Sequence, residues 1–166
     1  EVVRYVEFQT GGNNFVTVPA AGGSIKNNEL LLSVDVRRYV MSRELINKTD
    51  EPARYAVARE MNAAPVFQKF RDVYGRKDAA LYRDGLKRNV IIQQDSPIAE
   101  GVHQIEYITE DTIEGQVAPP VRTAWVATMA YEYIDLKTTR DKALLNPRGM
   151  NITEYTIRKR SGNNEN

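Results

Sequence analysis

His103 is the one imidazole in the chain, and cysteine is absent. A zinc site of ordinary composition needs several His or Cys ligands, and a disulfide or thiol nucleophile needs a cysteine, so all three are excluded. His103 can act only as a lone general base, with an Asp or Glu beside it in a pocket, as in cone-shaped enzymes that isomerise or dehydrate small molecules. The plainer reading is a histidine on a strand face, satisfied by water or by a carbonyl. Carboxylates gather at Glu106, Glu110, Asp111 and Glu114, without the ligand spacing of a calcium loop. They read as a solvated hairpin end. No nucleophile elbow, phosphate loop or dinucleotide fingerprint is present, since neither Gly11-Gly12 nor Gly22-Gly23 has the required spacing. The residues point to no cofactor and no metal.

Two further groups stand out. Arg43-Glu44 falls within a helical pattern, with the arginine on the apolar stripe. Its head group needs a partner there, either a carboxylate or carbonyls near a sheet. The pair serves as a buried tie for the helix or as a partner-binding charge. Asn146-Pro147-Arg148-Gly149 combines a side chain that bonds its own backbone, a fixed φ and a residue free to take φ > 0. It specifies a rigid turn, with a structural role or a role as an exposed partner contact.

The elements that carry these residues follow from periodicity. Val2 to Phe8 is β-rich, and Phe15-Val16-Thr17-Val18 is its expected hairpin partner across the turn Gly11-Gly12-Asn13-Asn14. Residues 19–28 read as loop. Leu32, Val36, Tyr39, Val40, Arg43 and Ile46 recur at helical steps and predict a helix over 28–47. Thr49 or Asp50 is the expected cap of a second helix ending near Met61, and Pro52 suits its first turn. A third helix starts at Ala64-Pro65 and stops at Gly75, and a short helical turn is expected over 78–83. After Lys87 the period becomes two, with strands over 89–94, 102–109, 123–135 and 151–160. Trp125, Ala127, Met129, Tyr131 and Tyr133 alternate along one side of the longest strand. Helices followed by antiparallel strands make an α+β fold, with a curved sheet wrapped round the helices in a cone.

Lys+Arg total 23 against 22 Asp+Glu, which disfavours direct nucleic-acid binding. No apolar run approaches the length of a membrane helix.

Tyr39-Val40-Met41-Ser42-Arg43-Glu44, Trp125-Val126-Ala127-Thr128-Met129-Ala130-Tyr131, and Asn146-Pro147-Arg148-Gly149 followed by Tyr155 come in one order. Together they resemble the motifs of the VirB-type "component eight" family of bacterial type IV secretion, and Phe8-Gln9-Thr10-Gly11 resembles its lead-in strand. The resemblance covers about residue 5 to 160. It implies a fold similar to nuclear transport factor 2 and a single-pass inner-membrane protein with this domain in the periplasm. On that reading residues 1–24 are a stem after an upstream membrane helix, 25–160 the domain, and 161–166 a disordered tail. It further implies an assembly or scaffold factor without enzymatic activity, acting in conjugation or effector translocation. Such a factor self-associates and contacts the core-complex scaffold and pilus proteins. The helix of Tyr39, Arg43 and Glu44 is then the expected self-association face, and Asn146, Pro147, Arg148 and Gly149 the expected contact loop. The alternative on the same cone is a small-molecule enzyme or binder using His103.

Overall fold

The structure is a computed structural model that describes residues 15–18, 29–80 and 83–160. The expected strand at 2–8, the turn at 11–14, the loop at 19–28 and the tail at 161–166 lie outside these residues.

Helix α1 (Glu29–Glu44) buries Leu32, Val36, Tyr39 and Val40, the apolar stripe read from the sequence. It stops before Ile46 because that residue is claimed by a strand. Ile46 N–H donates to the Arg88 carbonyl at 3.1 Å, and Arg88 N–H returns the bond at 3.0 Å. Helix α2 (Glu51–Met61) has Pro52 in its first turn, but no side chain caps it. The Asp50 carboxylate instead accepts from Arg54 Nε at 2.8 Å, which corrects the expected cap. Asn62 turns extended and forms a parallel bridge with Ile152, ending α2. Helix α3 (Ala64–Tyr74) ends at Gly75 as expected. Gly75 stays right-handed at φ −81, however, so its left-handed freedom is not what stops the helix. Within the expected helical turn over 78–83, Ala80 is in a 3₁₀ helix and Arg83 N–H donates to its carbonyl at 3.1 Å, while Asp78 and Ala79 lie in a turn and a bend.

Strands β2 (Leu86–Ala99), β3 (Val102–Ile113), β4 (Val121–Tyr133) and β6 (Met150–Lys159) form a four-stranded sheet in the order β2-β3-β4-β6, and all pairs are antiparallel. Register shifts between Ile92 and Gln94, between Pro97 and Ala99, and between Ala130 and Tyr131 mark irregularities that bend the strands. On β3 the alternation holds, with His103, Ile105, Tyr107 and Thr109 all buried. On the same side of β4, Ala127, Met129 and Tyr133 are buried and Trp125 and Tyr131 half-buried, and the shift at Ala130/Tyr131 leaves its extra residue, Thr153, on β6.

Phe15–Val18, strand β1, pairs antiparallel with β5 (Leu136–Thr139), and its expected hairpin partner at 2–8 lies outside the described residues. β5 and the short helix α4 (Arg140–Leu145) were not expected from the sequence. The core joins α1, α2 and α3 to the concave side of the sheet, with Val36, Tyr39, Val40, Ile105, Ala127, Met129, Met150 and Ile152 fully enclosed. At roughly 25 cal/mol per Å² of apolar surface, each Val, Ile or Met among them contributes about 1.5–3 kcal/mol. This is the α+β, nuclear transport factor 2-like arrangement.

Candidate functional site

Three polar groupings sit where the helices meet the sheet. The first is the turn after α4. Asn146 is buried and satisfied by backbone: its Nδ2 donates to the Glu60 carbonyl at 2.9 Å and the Met150 carbonyl at 2.8 Å. Its Oδ1 accepts from Met150 N–H at 3.0 Å. Gly149 has φ +69, and a Cβ there would lie 2.2 Å from the Ile134 carbonyl oxygen. The turn therefore admits no side chain at that position, on conformation and on space. Arg148 reaches back across the domain to α1. Its Nε donates to Asp35 Oδ2 at 2.7 Å and its Nη2 to the Leu31 carbonyl at 2.6 Å. Tyr133 donates to the same carboxylate at 3.2 Å. Of the four motif residues, Pro147 is the exposed one.

The second grouping is centred on Arg43. Its partner is neither a carboxylate nor a carbonyl, contrary to the sequence reading: Nη1 donates to the Tyr39 hydroxyl at 2.9 Å. Its Cζ lies 4.6 Å from the Phe70 ring centroid and 4.2 Å from that of Tyr155. A desolvated guanidinium between two aromatic faces is held by the ring quadrupoles, and its planarity lets it stack. Tyr39 passes the chain on to Asn62 Oδ1, and Asn62 Nδ2 donates to the Ala58 carbonyl at 2.6 Å. Glu44 accepts from the Tyr155 hydroxyl at 3.0 Å. Burial pushes the Glu44 carboxyl up, with Arg43 and the Tyr155 hydrogen bond opposing. Burial, and after it Glu44, raise the Tyr155 and Tyr107 hydroxyls far above the ordinary phenol range. Tyr39, Arg43 and Glu44 thus face the interior and tie α1 to α3 and β6.

The third grouping surrounds His103, only 2% exposed. Its Nε2 meets Asp95 Oδ1 at 3.2 Å, a carboxylate rather than the expected water or carbonyl. Ser33 Oγ and Arg37 Nε donate to the same carboxylate. Burial raises the Asp95 carboxyl, but these three hydrogen bonds outweigh it and hold it below the usual aspartate range. The hydroxyl nearest the pair bonds to Asp95 and not to the imidazole, so no nucleophile–base contact is formed. The carboxylates of the hairpin are paired across strands: Glu106 with Arg160, Glu110 with Arg122, Asp111 with Arg88 and Glu114 with Lys87. Among the described residues, no three His, Asp or Glu converge as metal ligands.

The family model described as VirB8 protein matches residues 1–160. The chain belongs to the VirB8 family. VirB8 membership makes it a component of a type IV secretion machine. The TrwG component from Bartonella birtlesii is similar in structure at TM-score 0.76 and 22% identity, over 84% of this chain and 97% of that one. VirB8 from Agrobacterium tumefaciens gives 0.71 and 21%, over 82% and 95%. A TraE protein in complex with 4-(1H-pyrrol-1-yl)pyridine-2-carboxylic acid gives 0.73 and 19%, over 85% and 99%. At these identities the structural likeness carries the fold alone. No curated protein matches the sequence. In this VirB8-family chain no described helix is long and apolar enough to cross a membrane.

Sequence reasoning missed Asp35, Ser33 and Asp95. For Asp35 a signal existed, since it lies three residues after Leu32 and next to Val36, on the buried side of α1, where a carboxylate requires a partner. Asp95 carried none, because its partners come from another element.

Proposed function

We infer that this chain is the periplasmic part of a non-catalytic assembly factor, held in the bacterial inner membrane by a helix outside the given sequence. It works by self-association and by contact with other secretion components, the core-complex scaffold and pilus proteins among them. The observation that carries this reading is the match of the VirB8 model to residues 1–160. The chemistry supports it: Asn146, Arg148, Tyr39, Arg43 and Glu44 each make internal side-chain contacts, which leaves the surface for the work.

The contact surface proposed for α1 is its outward side. Leu30 is 74% exposed and Val34 50%, one turn apart on the side opposite Tyr39 and Val40. The Asn146–Gly149 turn contributes Pro147, with Leu144 of α4, 63% exposed, beside it. A Leu30→Glu/Val34→Glu variant is expected to keep its melting temperature and to lose self-association in sedimentation analysis. A crosslinked pull-down of the full-length protein from its native cells, read by mass spectrometry, is expected to recover secretion components. Leu144→Glu should thin that set. Recovery of none, with the protein free in the cytosol, would sink the scaffold reading.

A further inference from the structure

Strand β6 lies at one edge of the four-stranded sheet. Among the described residues only Asn62 bridges its open side, at Ile152. From Thr153 to Lys159 no described strand covers that side, and Ile157 is 47% exposed. The direction of the free backbone groups follows from one bond. Arg160 N–H donates to the Ala124 carbonyl of β4 at 2.9 Å. Antiparallel ladders alternate, so Arg158, Thr156 and Glu154 also aim their backbone groups at β4, and Tyr155, Ile157 and Lys159 aim theirs out of the sheet. An open row of this kind is a template for another strand.

The side chains specify which strand fits. Register with β4 puts Tyr155 and Ile157 on the helix side, beside Met129 and Ala127, and puts Glu154, Thr156 and Arg158 on the outer side. On the sheet, Glu106 pairs with Arg160 and Glu110 with Arg122, whereas exposed Glu154 and Arg158 form no ion pair among the described residues. They stand symmetrically about Thr156. A copy of β6 laid antiparallel, with Thr156 opposite Thr156, sets each Glu154 across from an Arg158. It also sets each Tyr155 across from an Ile157, an aromatic against a β-branched side chain. The backbone phase agrees, because the outward-pointing groups of Tyr155 and Ile157 then face each other and exchange bonds. Moving the axis to Tyr155 or to Ile157 keeps that phase but takes Arg158 off Glu154.

We propose that two copies of this chain join their sheets edge to edge through β6, antiparallel about a twofold axis at Thr156. Such a contact is isologous, each copy giving the same strand. It rests on the self-association inferred above and gives it a surface separate from Leu30 and Val34.

Because the chain has no cysteine, Thr156→Cys carries a single thiol. Opposed residues of a non-hydrogen-bonded pair have Cα atoms about 4.5 Å apart, within disulfide reach. Mild oxidation of Thr156→Cys is expected to give a linked dimer about tenfold faster than oxidation of Thr112→Cys, an exposed position on β3. Glu154→Cys and Arg158→Cys should link to each other in a mixture faster than either links to itself. Glu154→Arg and Arg158→Glu alter exposed residues, should keep the melting temperature, and are each expected to weaken dimerisation about tenfold in sedimentation. Glu154→Arg/Arg158→Glu, which exchanges the two charges, should restore it. A self-associating parent whose Thr156→Cys variant links no faster than Thr112→Cys, or whose charge exchange restores nothing, overturns the pairing and leaves self-association standing. A parent that stays monomeric up to about 1 mM overturns both.

Discussion

Single residues close this fold at points where no alternative side chain serves. Gly149→Ala combines a positive φ with a Cβ 2.2 Å from a carbonyl oxygen. It is expected to lower stability by more than about 2 kcal/mol, seen as a lower urea midpoint with unchanged slope. Asn146→Ala strips the side-chain partners from the Glu60 and Met150 backbones and should cost about 1–3 kcal/mol. Asn146→Asp keeps the acceptor for Met150 N–H but loses both donated bonds, so it should not rescue. At Asp95 the expectation concerns pH. Its carboxyl is depressed in the folded state, so its contribution is present above the unfolded pKa and fades as pH falls through the folded one. Asp95→Asn should be less stable than the parent at neutral pH, and the gap should close in acid, as read from melting temperatures across that range. The Asn146 turn was legible as a turn because Pro and Gly act locally. Its function as a socket for the Glu60 carbonyl near the end of α2 was not, because Glu60 lies far away in the chain.

At the scale of elements, the helices are joined to the sheet through polar ties as well as apolar contact. Arg43 links α1 to α3 through Phe70 and to β6 through Tyr155. Arg43→Lys preserves the charge but loses the planar stack and the fork that reaches Tyr39, so a loss of about 1–2 kcal/mol is expected in chemical denaturation. The helix boundaries show which local signals survive. α3 matches its expected span, with Pro65 in its first turn and Gly75 as a right-handed cap at its end. α1 falls short of its periodic pattern because Ile46 is taken by Arg88 of β2. Strands β2 and β3 run longer than the alternation indicated, since each extends pairing into the other's polar ends such as Asp95 and Asp111.

At the scale of the molecule, the main apolar cluster among the described residues serves helices and sheet together, with Tyr39, Met61, Ile105, Met129 and Ile152 in it. Unfolding is therefore expected to be all-or-none: far-ultraviolet dichroism and fluorescence of Trp125 should give coincident transitions. Ile152→Ala, at a position with no exposure, should shift both by the same amount, for a loss of about 2–5 kcal/mol.

Sequence by itself determined the α+β class, the three long helices and four long strands, the rigid turn and the family, because periodicity, Pro, Gly and motif order are local or ordered along the chain. Tertiary structure alone decided that Phe15–Val18 pairs with Leu136–Thr139, that Arg148 pairs with Asp35, and that Arg43 lies between two rings. It also placed Asp95 against His103. Strand pairing and side-chain partnership depend on which residues closure of the core brings together, and that closure joins positions far apart in sequence.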